Sequence, residues 1–150
     1  MSHRNPAIYV CLALIPFIAA GCVHAARDTT GFAQNHQVIV DASFEDTWQA
    51  VKAVLRENEL TLYTRDKRGY FEAFSDTKRK WFQPKRIKYT FNIQTLAEGG
   101  TRVEAAAFHQ IYGVTPLTYP GWHDRKTNEG ESAANLLEAI AQKLSATDPA

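Results

Sequence analysis

Along the stretch from residue 86 to 96, apolar and polar side chains alternate as far as Gln94. Ile87, Tyr89, Phe91 and Ile93 fall on one side, with Lys88, Thr90, Asn92 and Gln94 on the other. A period of two with one apolar side predicts a half-buried antiparallel strand. Glu98-Gly99-Gly100 then turns the chain, and Val103, Ala105, Ala107, His109 and Ile111 form the inward side of a second alternating run. Ala105 and Ala107 are small where a mid-sheet position is usually β-branched, so a helix is expected to cross closely over them. Upstream, residues 37–41 read as a short β-branched strand. Residues 60–65 and 70–75 read as a hairpin closed by Asp66-Lys67-Arg68-Gly69, with glycine available for a positive φ.

Two stretches change period. Phe44, Trp48, Val51, Val54 and Leu55 recur at the spacing of one helix face, after Ser43 as N-cap and with Asp46 in the position of a capping-box acid. Ala133, Leu136, Leu137, Ile140, Ala141 and Leu144 do the same over residues 128–144, with Glu129 and Glu131 near the start and Lys143 near the end, as the helix dipole favours. The order is β-α-β-β-β-β-α. Both amphipathic helices must bury a stripe, so the predicted class is α+β: an antiparallel sheet of about five strands with both helices on one face. A chain of 150 residues has room for one such domain, here residues 37–147.

The pattern of Val38, Ile39, Val40, Ser43, Trp48, Val51, Leu55, Leu60, Asp66 and Gly69 resembles the helix-grip domains of small outer-membrane lipoproteins, such as the C component of the β-barrel assembly machinery. That component has two such domains and a long docking segment, whereas this chain has one domain and a short tether. The resemblance therefore implies a fold and carries over no partner-binding residue.

The first residues point to export. Residues 7–21 are apolar and uncharged, follow Arg4, and are interrupted by Pro16. Fifteen residues fall short of the roughly 20 that span a bilayer, so residues 1–21 read as a signal peptide. They end Ala19-Ala20-Gly21-Cys22, which resembles the lipobox of bacterial lipoprotein precursors. That resemblance implies cleavage before Cys22 and acyl chains on it; the alternative is an ordinary leader cut after Ala25. Cys11 and Cys22 are the only cysteines, so the domain has no thiol for a disulfide, a zinc site or a nucleophile. Residues 22–36 would form a lipid-anchored tether. Val23 follows the cysteine where aspartate would signal inner-membrane retention, so the expected location is the periplasmic face of the outer membrane.

Charge adds little at the level of the whole chain. The net formal charge is +1, which offers nucleic acid no general attraction. Locally it is another matter. Lys78, Arg79, Lys80, Lys85, Arg86 and Lys88 are six of the eleven residues from 78 to 88, with Trp81 and Phe82 between them. Such a basic-aromatic hairpin suits an anionic envelope component or an acidic protein surface; otherwise it is a solvated hairpin whose aromatics fold onto the core. The second candidate is the stretch 112–123, which enters a loop expected over 113–127 and carries Tyr112, Tyr119, Trp122 and His123, either a binding loop or a packed lid. No Ser-His-Asp order, phosphate-cradling loop or metal-ligand spacing is seen, so neither catalysis, a metal nor a cofactor is expected. The function expected is an envelope accessory or interaction module that binds the membrane through Cys22 and a further envelope partner. The alternative is a carrier of a lipid or other apolar ligand, in a cavity lined by Phe91, Ala105, Ala107 and Leu137.

Overall fold

The computed structural model describes residues 30–80, 83–113, 119–126 and 130–147. The leader, Cys22 and the tether as far as residue 29 lie outside the described residues, as do Trp81, Phe82 and residues 114–118. The elements run β1 (Gln34–Val40), α1 (Phe44–Glu57), β2 (Thr61–Asp66), β3 (Tyr70–Phe74), β4 (Lys78–Lys80), β5 (Gln83–Thr95), β6 (Thr101–Gly113), β7 (Gly121–Arg125) and α2 (Gly130–Thr147).

The first helix starts and stops as local chemistry requires. The Ser43 Oγ accepts from the Asp46 amide at 3.1 Å and donates to the Asp46 carboxylate at 2.5 Å, which satisfies an amide the helix leaves open. At the other end Asn58 caps the helix. Glu59 takes a left-handed φ of 56°, and the amides of Glu59 and Leu60 return to the carbonyls of Arg56 and Leu55. That is a Schellman closure with glutamate where glycine is usual.

Five strands form one antiparallel sheet in the order β1-β6-β5-β3-β2. The class is therefore α+β, as the periodicity predicts, and β1 begins at Gln34, earlier than residue 37. Two short strands extend the sheet to seven: β4 pairs with β5, and β7 with β6. Neither is legible in the sequence. Lys78-Arg79-Lys80 has no apolar alternation, and residues 121–125 lie in a stretch expected to be loop. Each becomes a strand because β5 and β6, thirteen residues apiece, run past their other neighbours and leave backbone groups to be paired.

The inward face is filled by pairing large side chains with small ones. Tyr89 lies opposite Ala107, and Phe91 opposite Ala105. The alanines leave room for α2, whose Ala133, Leu136, Leu137 and Ile140 join Trp48, Val51, Val54 and Leu55 of α1 in one buried cluster. The Tyr89 hydroxyl donates to the Ser132 Oγ at 3.1 Å and ties α2 to the central strand. Trp48 packs on Phe71 at 5.4 Å between ring centroids, and its Nε1 donates to the Asp66 carbonyl at 3.2 Å, so α1 is pinned to the β2–β3 turn. Gly69 closes that turn at a φ of 106°. A Cβ there would stand 2.4 Å from the Ile93 carbonyl oxygen, so glycine is required twice over.

This packing closes the space proposed for a carrier. Phe91 and Ala107 are 0% exposed, Ala105 2% and Leu137 4%. A void large enough for a ligand would leave accessible area on its lining. A carrier would have to part sheet and helix to admit an apolar guest.

Candidate functional site

Both helices cover one face, so the other face of the sheet is left to whatever its outward residues can build. Where β5 and β6 outrun β1 and β3, those residues are aromatic and charged. Arg86 on β5 is the centre. Its guanidinium carbon lies 3.7 Å from the ring centroid of Phe74 on β3 and 4.0 Å from that of Trp122 on β7. Since β5 stands between those two strands, the cation is held between rings from either side.

A polar chain fixes its orientation. The Arg86 Nε donates to the Gln110 Oε1 at 2.8 Å, and the Gln110 Nε2 donates to the Asp124 Oδ1 at 2.7 Å. Lys88 meets the other oxygen of Asp124 at 3.4 Å and sits 4.7 Å from the Phe108 ring centroid. Register explains the alignment, because Arg86, Gln110 and Asp124 lie opposite one another across β5, β6 and β7. Trp122 and Tyr112 are likewise opposite, and their rings meet edge to face at 5.3 Å. Burial lowers the Arg86 guanidinium from its ordinary value, while the charges of Glu72 and Asp124 act the other way. Arg86 stays a cation throughout the physiological range.

Beside Arg86 lies an open groove of about 510 Å³, walled by Tyr63, Phe74 and Trp122 and edged by Thr61, Glu72, Asp76 and Thr77. It forms where pairing with β5 is interrupted between β3 and β4. There Ser75 replaces the regular ladder, its amide donating to the Ile87 carbonyl and its Oγ accepting from the Ile87 amide, both at 2.9 Å. Tyr63 stands at the register shift in β2, 76% exposed, its ring 5.8 Å from that of Phe74. Burial first, and then the charge and hydrogen bond of Glu72, raise the Tyr70 hydroxyl above its usual range.

Among the cations expected to act together, the pleat separates Arg86 and Lys88 from Lys78 and Lys85. Arg86 and Lys88 face outward and are engaged as described. Lys78 and Lys85 lie opposite each other across β4 and β5, in register with Ile111 on the helix side of the sheet. Lys78 and Arg79 are exposed and Lys85 half-buried. Lys80 belongs to β4, while Trp81 and Phe82 lie outside the described residues. Nor do the residues expected in one loop stay together. Tyr112 lies near the end of β6, Trp122 and His123 belong to β7, and Tyr119, 94% exposed, precedes it. Trp122 joins the outward cluster, but His123 points to the opposite face beside Ile111, its Nε2 buried without a hydrogen-bond partner among the described residues. The physical reason is the same in both cases: neighbours along a strand project to opposite sides.

Phe74, Phe108, Gln110, Asp124, Tyr63 and Glu72 were not singled out from the sequence. A signal exists for some of them. Phe74 and Phe108 are aromatic at positions whose alternation assigns them to the water-facing side. Among the described residues, no three side chains of His, Asp or Glu gather as metal ligands would, and no helix is long and apolar enough to cross a membrane.

No family model matches the chain, and no curated protein sequence does. Among solved structures it is similar to the crystal structure of Ara h 8.0201, with a TM-score of 0.37 and 5% identity, over 76% of this chain and 97% of that one. At that distance, the site has to be read from this chain's own residues.

Proposed function

We propose that the chain is a lipid-anchored lipoprotein of the bacterial cell envelope, held at the membrane by Cys22, and that its domain is an accessory module that acts by binding. The observation that carries the binding half is the contrast between the two faces. The helix side is filled, whereas the open side keeps an oriented cation, an open groove and the exposed rings of Tyr63 and Tyr112. Large exposed aromatics rimmed by polar groups mark interaction surfaces. The envelope half rests on the leader and on Ala20-Gly21-Cys22.

Two measurements test the two halves. Cys22→Ser should move the protein from the membrane fraction to the soluble periplasm. A mature amino terminus at Ala26, with processing unaffected, would remove the anchor from the proposal. For the open face, Tyr63→Ala combined with Tyr112→Ala should abolish co-purification of envelope components from detergent-solubilised membranes without lowering the melting temperature. Undiminished co-purification would place the working surface elsewhere.

A further inference from the structure

The donors and acceptors of the groove beside Arg86 indicate the chemistry of an occupant. Its walls carry one cation, Arg86, and two carboxylates, Glu72 and Asp76. An anionic ligand would gain Arg86 but face both carboxylates, and a cationic one would gain the carboxylates but face the guanidinium. A hydroxyl group avoids the conflict, because it accepts from a guanidinium and donates to a carboxylate at once. The Arg86 Nε is committed to Gln110. Its terminal nitrogens have no hydrogen-bond partner among the described residues, and the two flanking rings hold the fork in place. Thr61 and Thr77 add hydroxyls at the rim, and Tyr63 presents a largely exposed ring. The electron-rich face of such a ring suits the C–H-bearing face of a sugar better than it suits an anion. The groove is open rather than enclosed, which fits a segment of a chain passing across it. An enclosed small-molecule site would bury most of its ligand.

We propose that this groove binds a neutral glycan chain, with a sugar ring laid on Tyr63 and its hydroxyls shared between Arg86 and Glu72. The inference rests on the open-face reading above and names the occupant of that face. The carboxylates do no chemistry here; they accept hydrogen bonds.

The test uses the full-length chain in detergent, with soluble chito-oligosaccharides and gluco-oligosaccharides as probes and titration calorimetry as the readout. Tyr63→Ala and Glu72→Gln should each weaken binding about ten-fold, equivalent to about 1.4 kcal/mol, at an unchanged melting temperature. Lys78→Gln, outside the groove, should have no effect. Binding should also survive a rise from about 0.1 to about 1 M salt, over which screening shortens from about 10 to about 3 Å. No binding of either oligosaccharide, or binding that salt abolishes, would overturn the proposal. If the groove variants instead release a co-purifying envelope protein that oligosaccharide does not displace, the glycan inference falls and the module stands. If neither oligosaccharide binding nor co-purification responds to the variants, both fall.

Discussion

The two faces of β5 are built from the same thirteen residues and held by different physics. On the helix side Tyr89, Phe91 and Ile93 are buried against aliphatic helix residues. There the stabilising quantity is apolar area removed from water, about 25 cal/mol for each Å². On the open side Arg86 and Lys88 lie against rings and a carboxylate while remaining partly wet. Contacts of that kind contribute about 0.5–2 kcal/mol each, according to how far they are desolvated. One face therefore secures the fold. The other is ordered by contacts that stay partly wet.

The largest expected effect lies on the helix side. Trp48→Ala removes a nearly buried ring, its contact with Phe71 and a hydrogen bond to the β2–β3 turn. Denaturant unfolding should show a loss of about 3–5 kcal/mol. A loss below about 1 kcal/mol would mean that the helix-covered face is not where stability resides. Next comes Trp122→Ala on the open side, which takes one ring from Arg86 and the edge contact from Tyr112. Its cost should be only about 1–2 kcal/mol, with the far-ultraviolet dichroism retained. A loss as large as that of Trp48→Ala would erase the distinction between the faces.

The smallest effect sharpens the comparison by its sign. Lys78 and Lys85 are like charges directly opposite across two strands, an arrangement that destabilises a sheet. Lys78→Gln together with Arg79→Gln should leave thermal stability unchanged or raise it by up to about 0.5 kcal/mol. If these cations meet an anionic surface, the same variant should bind anionic vesicles more weakly at low salt. Equal vesicle binding by both proteins would mark β4 as a plain solvated edge.

How much of this was legible beforehand differs between the two faces, and for a physical reason. Amphipathic period and capping are local, so α1, its Ser43–Asp46 cap, the Asp66–Gly69 turn and the alternation of β5 and β6 could all be read from neighbouring residues. Even the close approach of α2 was visible, because Ala105 and Ala107 are small on an otherwise large-residue face. The open face is not local in that sense. Phe74, Arg86 and Trp122 lie on three strands, far apart in the chain, and they meet only if each strand pairs in one register. A slip of one residue would send every one of those side chains to the other side. The amino-acid sequence alone thus determined the fold class and the helix-side core. The tertiary structure alone decided that β4 and β7 are strands, that Arg86 and Lys88 part from Lys78 and Lys85 to opposite faces, and that Arg86 stands between two rings beside an open groove. Pairing across the sheet sets those outcomes, and no periodicity along the chain encodes it.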